Sequence, residues 1–230
     1  MTDAKKLPVK KVKKRDENSL ISIFKKGIWK ENGIFATTLG LCPSLAVTAT
    51  FEGAFGMGIL VFLVLTMTNV SISAIRKVTP NAVRIPVYII IIATEVTVIK
   101  MLVDAFAPEL AKELGVFIAL ITVNCVVFGR AESFASKNSV PKSAFDGMGV
   151  GLGFLIALAI IGFFREFLGT GMIQLGKILP LGFEYAVLGN AGLNKYAFSV
   201  LVQPPGAFMV IGLILAVIIA AQNKKKGAKR

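Results

Sequence analysis

Residues 54–75 read AFGMGILVFLVLTMTNVSISAI, an apolar run that contains no charged side chain. A helix of about 20 such residues crosses the hydrocarbon core of a bilayer. Apolar segments recur along the chain at 33–50, 85–107, 115–128, 144–164 and 205–221. The segments at 33–50 and 115–128 do not span as single long helices. The pattern therefore predicts an all-α integral membrane protein with six transmembrane helices, two of which are short or broken.

The overall composition supports a membrane protein. The chain is 55% hydrophobic with a mean hydropathy of +0.74, so a soluble domain of this size would expose too much apolar surface. The net charge of +13 lies mainly at the two ends and in two loops, which favours the lipid bilayer as a partner and not nucleic acid. The absence of histidine excludes imidazole-ligated haem, histidine-bound zinc, a Rieske centre and Ser-His-Asp catalysis.

Charge and hydrophobic period divide the chain into four parts. Leu20, Phe24 and Ile28 recur every fourth residue, which predicts an amphipathic helix lying on a membrane surface, with a solvated linker as the alternative. The lysine-rich stretch before it cannot bury apolar area and is not a cleavable signal. The predicted parts are a basic disordered leader at 1–18, the surface helix at 19–32, a six-helix membrane domain at 33–223 and a basic cytoplasmic tail at 224–230.

The distribution of basic residues predicts the orientation. Of the 26 Lys and Arg residues, 21 fall on one side of the six segments, four on the other, and Lys100 lies within a segment. Because basic loops stay in the cytoplasm, both termini and the 130–142 loop are expected there. The protein is then a multi-pass protein of a prokaryotic cytoplasmic (inner) membrane. The connection at 166–203 is expected outside, as an interfacial loop with partial helix.

The two halves of the chain share a pattern. Cys42 lies in a short segment followed by a Gly-Met-Gly at 56–58 that opens a long one, and Cys125 is followed in the same way by Gly-Met-Gly at 147–149. Gly40 and the Cys42-Pro43 step are expected to break the first segment, and the fourth is expected to end at Gly129. Three crossings per half make the second half run opposite to the first, so the pattern predicts a 3+3 inverted repeat with broken helices at matching positions.

The two cysteines are the candidate site residues, and the equivalent positions of an inverted repeat meet near the midplane. Three interpretations of Cys42 and Cys125 remain open: small buried apolar residues, a disulfide, or thiolate ligands to iron. An iron–sulfur cluster generally needs four thiolates, and this chain has two. Under the third interpretation the cluster is shared with a partner at a subunit interface.

The third segment contains ionisable residues that need partners in a membrane. Lys100 and Asp104 are four residues apart and can pair on one helix face. Glu95 has no such local partner, so a contact with another subunit and a place in an ion path both remain open.

Several stretches together closely resemble the E subunit of the Rnf electron-transport complexes, a family related to the D subunit of the sodium-pumping NADH:quinone reductases. The resemblance covers about residues 31 to 223. It rests on LGLCPSLAVT at 39–48, Thr68-Asn69, RIPVY at 84–88, NCVVFGRAE at 124–132 and PPGAF at 204–208. The last of these favours the Rnf family over the quinone reductases, and no stretch resembles a covalent flavin-attachment sequence.

The resemblance implies six helices in an inverted repeat and a translocase subunit that is not catalytic alone. It implies a [2Fe-2S] cluster shared with the homologous A subunit, with Cys42 and Cys125 as two of its four ligands. The whole complex, with its other Rnf subunits, would move electrons between ferredoxin and NAD and couple this to Na⁺ or H⁺ translocation. A secondary transporter with inert cysteines, a structural scaffold and the equivalent quinone-reductase subunit are the alternatives.

Overall fold

The computed structural model describes residues 20–29, 31, 33–170 and 203–227. The predicted leader and most of the 166–203 connection lie outside the described residues. Within the described residues the chain is helical and has no strands. Its α-helices are α1 Leu20–Trp29, α2 Leu41–Val47, α3 Phe51–Ile75, α4 Arg84–Phe106, α5 Pro108–Ala119, α6 Cys125–Arg130, α7 Val140–Thr170 and α8 Pro204–Gly227.

Four helical stretches of the described chain are long and apolar enough to cross a membrane: Phe51–Ile75, Arg84–Phe106, Leu114–Ala135 and Val140–Phe167. Pro205–Ala221 is a shorter apolar helix. The first predicted segment, 33–50, contains only the seven-residue α2. The protein is therefore a multi-pass membrane protein that is all-helical over its described residues, and the expected six-helix 3+3 repeat is not confirmed.

α3 and α7 form the centre of the fold by packing backbone against backbone. The facing pairs along this seam are Thr66 with Gly147, Phe62 with Gly151, Gly58 with Leu155 and Ala54 with Gly162. A Cβ added at Gly151 would lie 3.0 Å from the Phe62 Cα, so a larger residue there would require the two helices to move apart. Residue numbers rise along α3 as they fall along α7, so the two helices are antiparallel.

The stretch around Cys125 is longer than the sequence suggested. It does not end at Gly129: α5 leads through a 3₁₀ turn at Leu120–Val123 into α6, and a π-helical turn at Ala131–Ala135 follows. The sequence indicates an end at Gly129 because the apolar run at 115–128 stops there. In the folded chain the helical stretch continues past Arg130, which pairs with Asp146 of α7.

The backbone break before Cys42 lies at Gly40 and not at Pro43. Gly40 has a φ of 77° and precedes the first residue of α2, and Thr38 also has a positive φ, of 51°. Pro43 is the third residue of α2. A proline is tolerated there because N–H groups of the first turn have no partner within the helix. The irregular stretch 33–40 therefore ends in a left-handed glycine that starts α2.

The segment from α1 to α2 runs along α7 in the same direction. Near α1, Phe24 contacts Gly149, and further on Gly33 and Gly40 pack against Phe154. The contact at Gly149 is tight, since an added Cβ would lie 2.7 Å from the Phe24 carbonyl oxygen. α1 is thus packed on α7 through glycine contacts.

The ionisable residues of α4 have different surroundings. Glu95 accepts hydrogen bonds from the hydroxyls of Thr68, at 2.5 Å, and Ser71, at 2.6 Å, both on α3. These partners come from a neighbouring helix, which the local sequence around Glu95 does not reveal. Lys100 and Asp104 are exposed, and in the described chain no ion pair joins them, so the expected pairing is wrong.

Candidate functional site

The two cysteines lie at the starts of two short helices. Cys42 is the second residue of α2, and Cys125 is the first residue of α6. Both are exposed, and both are free thiols. Neither thiol is therefore buried within this chain, and no disulfide joins the two. Both sulfurs remain available to a ligand.

One hydrogen bond connects the two cysteine segments. The Gly40 backbone N–H donates to the Cys125 Sγ over 2.9 Å, across 85 positions of sequence. Gly40 immediately precedes α2 and is two residues from Cys42, so this bond brings the segments of Cys42 and Cys125 together. The predicted proximity of the two segments is confirmed, and the contact uses a backbone donor that sequence reasoning did not identify.

The loop that presents this N–H is held by its own short contacts. Leu39 N donates to the Gly33 carbonyl over 2.7 Å, and the Thr37 hydroxyl donates to the same oxygen over 2.9 Å. Thr38 takes a left-handed backbone conformation that β-branched residues rarely adopt. Such strain persists only where the surroundings fix it. The fold thus holds this loop in a strained shape.

α6 begins at Cys125 because Asn124 caps it. Asn124 has extended backbone angles, and its Oδ1 accepts from the Val126 N–H over 3.0 Å. Its backbone carbonyl accepts from the Phe128 N–H, which is the first hydrogen bond of the helix. The Asn-Cys order therefore places the thiol on the first residue of a helix.

An apolar wall lies behind the cysteine loop. Val126 and Phe154 are buried, and they are the side chains that an added Cβ at Gly33 or Gly40 would strike. At Gly40 the distances would be 2.7 Å to a Phe154 ring carbon and 2.8 Å to a Val126 methyl. The loop backbone at Gly33 and Gly40 therefore packs directly against this wall.

A buried arginine supports α2 from the other end. Arg165 is 1% exposed, and its guanidinium donates to the Leu45 carbonyl, to the Thr48 hydroxyl over 2.6 Å and to the Gln203 carbonyl. This residue links α7 to the end of α2 and to the residue before α8. The sequence showed Arg165 only as a charge that ends an apolar run, and nothing in that pattern identifies its partners on α2.

A second polar group joins α1, α6 and α7. Arg130 pairs with Asp146 through both carboxylate oxygens and with Glu31 over 2.7 Å. Burial raises the pKa of the Glu31 carboxyl, but the Arg130 guanidinium and the Lys26 ammonium outweigh it. The net pKa therefore lies below the ordinary value. Glu31 stays ionised and ties the end of α1 to α6.

The donor set at the two helix starts suits half of a tetrathiolate site. The chain has two thiols and no histidine. Among the residues that the structure describes, no group of three or more Cys, Asp or Glu could hold a metal. Two thiols are half of the four thiolates that an iron–sulfur cluster generally needs. The N–H donor at Cys125 fits an anionic sulfur ligand.

Comparison with known proteins gives consistent relatives. Residues 20–215 match the family described as "Rnf-Nqr subunit, membrane protein". The E subunit of an ion-translocating oxidoreductase complex from Glaesserella parasuis is 46% identical over 205 residues, covering 89% of this chain and 90% of that protein. The Methanosarcina acetivorans protein of the same name is 45% identical over 216 residues, covering 94% and 97% of the two chains. The Cronobacter sakazakii one is 44% identical, covering 92% and 94%.

Proposed function

Because the chain belongs to the Rnf-Nqr family of membrane subunits, we propose that it is the E subunit of an ion-translocating ferredoxin:NAD oxidoreductase (Rnf) complex. In this complex it relays electrons through a [2Fe-2S] cluster that it shares with the homologous A subunit. The complex lies in a prokaryotic inner membrane and couples electron transfer to Na⁺ or H⁺ translocation. Ferredoxin and NAD react at other subunits.

The hydrogen bond from Gly40 to Cys125 carries this proposal. It joins two segments that are distant in the sequence, and each segment bears an exposed cysteine that is not in a disulfide. A secondary transporter with inert cysteines has no need of such a contact. Sulfur accepts a backbone N–H weakly when it is an ordinary thiol and more strongly when it carries negative charge.

Cys42 and Cys125 would hold the cluster, which supplies one-electron transfer when bound. The Gly40 N–H donates to the Cys125 sulfur and fixes its position. Phe154 and Val126 exclude water behind the loop. Arg165 holds the far end of α2 and thereby fixes the helix that bears Cys42.

Iron and acid-labile sulfide measured on the purified complex test the proposal. Cys42→Ser and Cys125→Ser each remove one ligand, and each should lower iron by the content of one two-iron cluster and abolish electron transfer to NAD. Ala46→Ser is the matched control, because it places the same hydroxyl on an exposed position of α2. Iron and electron transfer that stay unchanged in both cysteine variants would leave a transporter or scaffold role instead.

A further inference from the structure

In the described part of the chain, the Asn124 side chain is hydrogen-bonded through its amide oxygen but not through its amide nitrogen. Its Oδ1 accepts from the Val126 N–H over 3.0 Å. Its Nδ2 is buried and has no hydrogen-bond partner in the part of the chain that the structure describes. The residue is only 3% exposed, so bulk water does not supply a hydrogen-bond acceptor to this amide NH₂ group.

The orientation of the amide is fixed by the cap. A flip of the side chain would place the NH₂ group against the Val126 N–H, donor against donor, and would remove the cap of α6. Leaving a buried donor without an acceptor is unfavourable, because it has lost its hydrogen bonds to water. The assembled complex therefore has a reason to place an acceptor at Nδ2, and this chain's described residues do not supply one.

The position of Asn124 indicates which acceptor this is. Asn124 directly precedes Cys125, and its side chain lies at the same end of α6 as the Gly40 N–H that meets the Cys125 sulfur. Sulfurs of an anionic cluster accept several N–H donors, and these donors help set its reduction potential.

We propose that Asn124 is a positioning residue of the cysteine site, whose Nδ2 donates a hydrogen bond to a sulfur of the iron–sulfur group held by Cys42 and Cys125. This inference rests on the proposed function. Asn124 thus has two roles: its oxygen starts the helix that carries Cys125, and its nitrogen stabilises the reduced, more negative state of the bound group.

Asn124→Ser separates the two roles, because serine also caps helices but has no amide donor. The complete purified complex is titrated with reductant while its electron paramagnetic resonance spectrum is recorded. The signal of interest is the one that is present in the wild type and absent from Cys42→Ser. The midpoint potential of that signal should fall in Asn124→Ser. A tenfold loss in the reduced-to-oxidised ratio at fixed potential corresponds to about 59 mV for a one-electron couple. Asn138→Ser is the control, since Asn138 also donates through its Nδ2, to the Phe134 carbonyl of another turn.

A second measurement does not depend on any variant folding. In wild-type complex labelled with ¹⁵N at asparagine side chains, pulsed electron paramagnetic resonance should detect a weak hyperfine coupling between ¹⁵N and the reduced cluster. An unchanged potential in a loaded Asn124→Ser complex, or no such coupling in the wild type, overturns the role of Asn124. Absence of the Cys42-dependent signal from the wild type instead overturns the proposed function, so the two failures are distinguishable.

Discussion

Gly40→Ala should displace the loop that joins the two cysteine segments. The substitution puts a side chain on a residue with a φ of 77°, which costs about 1–2 kcal/mol in an L-residue. The new Cβ would also lie 2.7 Å from the Phe154 ring and 2.8 Å from a Val126 methyl, and overpacking of a buried wall costs about 1–3 kcal/mol. Together these terms oppose the native loop by about 2–5 kcal/mol.

The expected result is a lower thermal midpoint of the solubilised complex and a loss of the iron that depends on Cys42. Gly115→Ala is the matched control, because nothing lies within 4 Å of a Cβ added there and alanine favours helix. That variant should equal or slightly exceed the wild type in stability. If the Gly40→Ala complex keeps the iron content and the thermal midpoint of the wild type, the left-handed glycine and its N–H···S bond are not needed to form the site.

Three further predictions concern other parts of the fold. The Glu31 carboxyl has a lowered pKa in the folded chain, so its contribution to stability is present above its ordinary pKa and is lost as pH falls through the folded pKa. Hydrogen exchange in α1, corrected for the intrinsic exchange rate, should therefore rise at acidic pH in the wild type. In Glu31→Gln the exchange should already be raised at neutral pH. Arg165→Met leaves buried acceptors at the end of α2 without their donor and should destabilise the subunit by about 2–4 kcal/mol, seen as less assembled complex in membranes; equal amounts would contradict a supporting role. A cysteine placed at Lys195 should react with an impermeant thiol reagent in intact cells and one at Lys137 should not, and the reverse pattern would invert the orientation.

The sequence allowed prediction of features that depend on local composition. The apolar spans around α3, α4 and α7 were placed within a few residues, because hydrocarbon thickness sets their length. The two cysteine segments stood out because each is a short apolar segment followed by a Gly-Met-Gly that opens a long one. Their proximity followed from the repeated pattern, and the Gly40 contact confirms it.

Features that depend on contacts between distant residues were not predictable. Arg130, in the helical stretch beyond Gly129, pairs with Asp146 of α7, and these residues are 16 apart with a turn between them. The surroundings of Glu95 depend on hydroxyls 24 and 27 positions away on α3. The donor to Cys125 is a backbone N–H, which is the same in every residue type except proline and leaves no trace in the sequence.

The glycine seam between α3 and α7 also constrains the order of synthesis. Gly58 and its neighbours on α3 are made long before Leu155 of α7, so α3 enters the bilayer with a face that its final partner does not yet cover. Because this contact closes a loop of nearly one hundred residues, the centre of the fold forms only after α7 has been inserted. Ribosomes halted shortly after residue 140 should hold a nascent chain without a closed core, and the loop with Gly33 and Gly40 cannot settle against Phe154 until synthesis has passed it.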